Sequence, residues 1–171
     1  RDDFKIMTHE TLQFLPQLEN FILPVDFSNM NKSAKKQNIK TAEKAQKHLE
    51  TGGVVIIFPS GGVSTAASLK SDAIDDEWKL FPAKLIHKTR TNVLPIYFDG
   101  KNGLLFHLFA SKIKNQTLKY SSYIHETRKK IGKDIVIYSG EIINYESIDS
   151  IKDRTKLINY LKEYTYNLKN V

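Results

Sequence analysis

Apolar and polar residues alternate along Phe4-Lys5-Ile6-Met7-Thr8, the period of a half-buried strand. A short helical stretch is expected from 10 to 15, broken at Pro16. Phe21-Ile22-Leu23 predicts a second short strand, closed by Pro24. From Ser33 to Glu50 the spacing becomes helical. Ala34, Ile39, Ala42, Ala45 and Leu49 form a stripe there, and Gly52-Gly53 supply the stop.

Val54-Val55-Ile56-Ile57-Phe58 is continuously apolar and β-branched, which predicts a strand covered on both faces. A helix is expected over 81–87 with Leu85 and Ile86 inward, then a buried strand over 93–98 closed by Asp99-Gly100. Pro95 lacks an amide donor, so its place is at an edge or a bulge. A further strand is expected over 134–138, ending near Gly140. Asp149 or Ser150 is the expected cap of a final helix, with Leu157, Leu161, Tyr164 and Leu168 on one face. Strands separated by helices predict an α/β protein, its mixed, largely parallel sheet flanked by helices. No repeat, low-complexity tract or linker interrupts the pattern, so residues 1–171 read as a single domain.

Composition narrows the chemistry. The chain is 40% hydrophobic and 26% charged, which suits a folded domain rather than a disordered one. It contains no cysteine, so disulfides and thiolate metal sites are excluded. Its apolar runs fall far short of the roughly 20 residues that cross a bilayer. The formal charge is +7, with clusters at Lys32, Lys35, Lys36 and at Arg128, Lys129, Lys130, Lys133. No aromatic residues interleave with these clusters, so no nucleic-acid partner is expected. An anionic membrane surface or an acidic carrier protein suits the same charge.

The candidate chemistry sits after the strand, in Phe58-Pro59-Ser60-Gly61-Gly62-Val63-Ser64-Thr65-Ala66. A Walker loop would need Gly-Lys-Ser/Thr here to reach phosphate and magnesium, and none follows. The glycine spacing of a dinucleotide fold is absent too. Gly62-Val63-Ser64-Thr65-Ala66 is a near miss to the Gly-x-Ser-x-Gly nucleophile elbow. That elbow should follow its strand directly, whereas Pro59-Ser60-Gly61 intervene. A serine esterase using Ser64 therefore stands as an alternative.

Phe58-Pro59-Ser60-Gly61-Gly62-Val63-Ser64 resembles the Phe-Pro-Glu-Gly-Thr-Arg-Ser block of the glycerolipid (lysophosphatidate-type) acyltransferases. It is closer to Phe-Pro-Ala-Gly-Glu-Val-Ser, found in a bacterial branch labelled hemolysin or ornithine-lipid acyltransferase. Asp76-Glu77-Trp78, Phe81, the run from Leu94 to Asn102 and Phe106 resemble that branch in order and near spacing. Upstream, Arg1-Asp2-Asp3-Phe4-Lys5 and Leu23-Pro24-Val25-Asp26 do so as well, and the resemblance covers about residues 1–140.

The resemblance implies transfer of a fatty acyl group from an acyl carrier protein or acyl-CoA thioester to a lysolipid hydroxyl. It implies no cofactor or metal, and a cytoplasmic place at the inner face of the cell membrane. In that chemistry a His base takes the hydroxyl proton while a carboxylate five positions on orients it. Phe58, Pro59, Ser60, Gly61, Gly62 and Ser64 are then the acceptor-binding loop rather than the catalytic centre. Asp26, Trp78, Phe81, Lys101 and Asn102 are candidate substrate-lining residues.

Two departures shape the expectation. The residues five positions after His9, His48, His87, His107 and His125 are Phe14, Gly53, Asn92, Lys112 and Lys130, none of them acidic. The chain begins at Arg1, almost inside a strand, so the His motif is expected upstream. A catalytically inactive lipid-binding relative is the other alternative. The family's loop Arg is replaced by Val63, and its second head-group Arg falls on Pro24. Without guanidinium forks, bidentate phosphate recognition is weakened, which favours an amino-acid lipid or another lysolipid.

Overall fold

A computed structural model of the chain describes residues 2–10, 12, 16–26, 32–65, 73–100, 125 and 127–170. Strands β1 (Phe4–His9), β2 (Ile22–Val25) and β3 (Val54–Ile57) form a parallel sheet in the order β2-β1-β3. Ile6 stands opposite Ile22 on one side and Ile56 on the other. Parallel strands need a crossover, and helix α1 (Lys32–Glu50) supplies it between β2 and β3. The register brings the carboxyl ends of all three strands, at His9, Val25 and Ile57, to the same sheet edge.

The inner face of α1 differs from the expected stripe. Ala34, Thr41 and Ala45 are buried, while Ile39 points outward at 59% exposure. Polar groups take the inner positions because β2 offers them backbone partners. Thr41 Oγ1 donates to Pro24 O at 2.6 Å. Asn38 accepts from Asp26 N and donates to Asp26 O, both at 2.9 Å. The helix stops as expected, with Gly52 at φ 84 and Gly53 N donating to His48 O at 2.9 Å.

One face of β3 carries the sheet's packing. Val55 and Ile57 pack against a core of Leu23, Ala45 and Leu85, with Met7, Leu49 and Phe81 beside it. The expectation that both faces are covered is corrected: Ile56 is 39% exposed and Phe58 53%. Helices cover only the side that Val55 and Ile57 face among the described residues. Helix α2 (Phe81–Thr89) buries the expected pair Leu85 and Ile86, and Pro82 and Ala83 as well.

Strands β4 (Ile96–Phe98) and β5 (Ile137–Ser139) pair antiparallel as a separate ribbon, with Tyr97 opposite Tyr138. A bridge between Val93 and Ile143 extends their contact. Pro95 precedes β4 and accepts at its carbonyl from Gly140 N at 3.0 Å.

The chain continues through helix α3 (Tyr145–Ile148) to helix α4 (Arg154–Asn167). The cap of α4 is Asp153, not Asp149 or Ser150: its carboxylate accepts from Thr155 N and Lys156 N at 2.8 and 3.0 Å. Asp149 instead accepts from Tyr145 Oη and Lys152 Nζ. Leu157, Ile158 and Leu161 join Trp78, Ala83, Ile86, Ile143, Tyr145 and Ile148 in the second core. The architecture is α/β, with a parallel three-stranded sheet flanked by helices.

Candidate functional site

The loop leaves β3 at the carboxyl edge of the parallel sheet, where α/β folds place their ligands. Phe58 O accepts from Gly61 N at 3.0 Å, closing a turn whose inner positions are Pro59 and Ser60. Proline suits the first of these because its ring pre-sets φ, and Gly61 meets the left-handed φ of 69 that follows. Ser60 is buried. Its Oγ donates to Gly62 O at 3.1 Å and lies 3.4 Å from Gly62 N. A Cβ on Gly62 would meet open space, so packing within the chain does not require glycine there. Phe58 and Val63 are exposed at the rim.

A second segment, residues 73–79, closes against this loop. Thr65 and Ile74 exchange backbone hydrogen bonds at 3.1 and 2.9 Å, and Lys79 N donates to Pro59 O at 2.9 Å. Ser64 Oγ donates to Asp75 Oδ1 at 2.5 Å. The other Asp75 oxygen accepts from Trp78 Nε1 at 2.8 Å. Asp75 therefore fixes both the loop's hydroxyl and the indole of a core tryptophan.

Helix α4 holds this segment from behind. Asp75 N donates to Tyr166 Oη at 2.8 Å, and Lys162 Nζ donates to the carbonyls of Asp75 and Asp76, both at 3.1 Å. Desolvation by burial is the largest cause pushing the Tyr166 phenol above its ordinary value of 10.0. Ile74, Lys162 and Tyr166 also line a shallow cleft of about 280 Å³ with Asn159 and Glu163.

Phe58, Pro59, Ser60, Gly61, Gly62 and Ser64 form one continuous loop, and Trp78 is tied to it through Asp75. Trp78 is 8% exposed and packs in the α4-side core, while Phe81 packs beside Leu23, Ala45 and Leu85. Asp26 follows β2 at the same sheet edge as the loop, its backbone held by Asn38. Lys101 and Asn102 lie outside the described residues. Sequence reasoning missed Asp75, Lys162 and Tyr166. Asp75 adjoins the Asp76-Glu77-Trp78 block and sits one helical turn's spacing before Trp78, but Tyr166 is 91 residues away and nothing local marks it.

No group of three His, Asp or Glu side chains that could hold a metal occurs among the described residues. No described helix is long and apolar enough to cross a membrane.

Residues 1–99 match the family described as Acyltransferase. The chain is also similar to the lyso-glycine lipid O-acyltransferase of Phocaeicola vulgatus, 27% identical over 119 residues, covering 67% of this chain and 42% of that protein. It thus spans less than half the length of that relative. No solved structure matches it. The loop after β3 and the sheet edge that presents it both lie inside the matched region, and the chain belongs to the acyltransferase family.

Proposed function

We propose that the chain supplies the acceptor-binding part of an enzyme that transfers a fatty acyl group from a thioester to the hydroxyl of a lysolipid. The thioester is carried by an acyl carrier protein or CoA, and the work is done at an anionic membrane surface, the cytoplasmic face of the cell membrane. The loop from Phe58 to Ser64 is the acceptor-binding element. The His-carboxylate pair that such chemistry needs is supplied from outside residues 1–171, since no histidine of this sequence has an acidic residue five positions on.

One observation carries this reading over the esterase: the Ser64 proton is given to the Asp75 carboxylate, not to a histidine. A serine nucleophile needs its proton on a base that can take it and later return it to the leaving group. Here the hydroxyl is held by a carboxylate whose other oxygen is engaged by Trp78. The name of the Phocaeicola relative supports a lysolipid acceptor, and the +7 charge suits both an anionic leaflet and an acidic carrier.

A Ser64→Ala variant of the full-length protein tests the assignment. An acceptor-binding serine predicts a modest loss, about tenfold in kcat/KM, and no labelling of Ser64 by a fluorophosphonate. Complete loss of activity together with fluorophosphonate labelling at Ser64 would instead establish the esterase.

A further inference from the structure

Ser64 and Asp75 together set the polarity that the loop offers a ligand. A serine hydroxyl has one proton to donate and two lone pairs with which to accept. That proton goes to Asp75 Oδ1. The pairing cannot reverse at the other oxygen, because the Trp78 indole bonded there can only donate. Three of the loop's amides are already used: Gly61 N on Phe58 O, Thr65 N on Ile74 O, and Gly62 N on Ser60 Oγ. At Ser64 a ligand therefore meets oxygen lone pairs with a carboxylate behind them.

We infer that the Ser64–Asp75 pair makes this a subsite for a hydrogen-bond donor of the lysolipid, such as a hydroxyl, an amide N–H or an ammonium group, and selects against phosphate. The inference rests on the acceptor-binding role proposed above. Val63 and Pro24 agree with it, since neither brings a cation to the loop or to the end of β2. Replacing Asp75 by Asn predicts inversion. Trp78 must still donate to the amide oxygen, so the amide NH2 faces Ser64 and donates to Oγ. The serine proton then turns toward the ligand, and the negative charge behind it is gone.

Trp78 is the single tryptophan of residues 1–171 and is bonded to Asp75, so the fluorescence of this chain reports on the site directly. The chain is titrated with monoacylglycerol and with lysophosphatidate of the same acyl length, each in neutral detergent micelles. About 1 M salt, where the Debye length is about 3 Å, suppresses general attraction of the anionic lipid to the basic surface. The wild type is expected to bind monoacylglycerol about tenfold or more tightly than lysophosphatidate. Asp75→Asn should reduce that ratio about tenfold, by gaining affinity for the phosphate lipid. Ser64→Ala, which leaves Asp75 in place, should weaken monoacylglycerol alone and decides the matter if the Asn variant fails to fold. A wild type that prefers lysophosphatidate, or an unchanged ratio in both variants, overturns the donor inference and leaves the loop as a binding element. No fluorescence response to either lipid overturns both.

Discussion

The amide of Asp75 donates to Tyr166 Oη at 2.8 Å, joining the arm beside the candidate loop to helix α4 across 91 residues of sequence. Family similarity covers residues 1–99, yet the position of Asp75 is set partly by α4, outside that region. The phenol, not only its ring, matters here. Tyr166→Phe keeps the ring against Tyr97, 5.5 Å between centroids, and removes the acceptor. Denaturant unfolding at neutral pH should show a loss of about 1 kcal/mol.

The same phenol makes an alkaline prediction. Its folded pKa is raised above 10.0, chiefly by burial, so the unfolded chain ionises first as pH rises. The stability it contributes is full below pH 10.0 and is lost as pH climbs through the raised folded value. Between those limits the wild type should lose stability more steeply than Tyr166→Phe. Parallel pH profiles of the two proteins would contradict the assignment.

Asp153 gives an acid-side counterpart. The Lys156 amide, followed by that of Thr155, holds its carboxyl below the ordinary 3.8. Stability from this cap is present above pH 3.8 and is lost as pH falls through the depressed folded value. Asp153→Ala should lower the thermal midpoint at neutral pH and make little difference in strong acid. Because α4 carries Tyr166 and Lys162, the variant should also speed amide exchange at Asp75.

The entry to β3 depends on a close approach between Gly53 and His48. A Cβ at Gly53 would overlap His48 Nε2, the atom bonded to Asp3 O at 2.7 Å. Gly53→Ala must therefore expel the imidazole and break its tie to the residue before β1, costing about 1 kcal/mol or more. In His48→Ala the space is open, so adding Gly53→Ala should then cost markedly less than it does alone. A double-mutant cycle with no coupling would refute this account.

Local pattern predicted much of the frame. The strand preceding the loop, the stop at Gly52-Gly53 and the buried pair Leu85-Ile86 all followed from spacing and residue type. It failed where tertiary partners decide. Ile39 reads as a core residue, yet Thr41 takes the inner face because Pro24 offers it a carbonyl. Asp149 reads as a cap, but Tyr145 and Lys152 claim its carboxylate, and Asp153 caps α4 instead. The loop was legible as a motif, whereas Asp75 gains its importance from Ser64, Trp78 and Tyr166, which only folding brings together.

Central to the account is that a lysolipid acceptor sits against Phe58–Ser64 and the Asp75 arm. The direct measurement is amide chemical-shift mapping of the isotope-labelled chain during titration with monoacylglycerol micelles, with empty micelles as the reference. Shifts confined to residues 58–65 and 74–79 are predicted, with the outward face of α1 around Ile39 unaffected. Shifts elsewhere with that loop silent, or none beyond those of empty micelles, would contradict it.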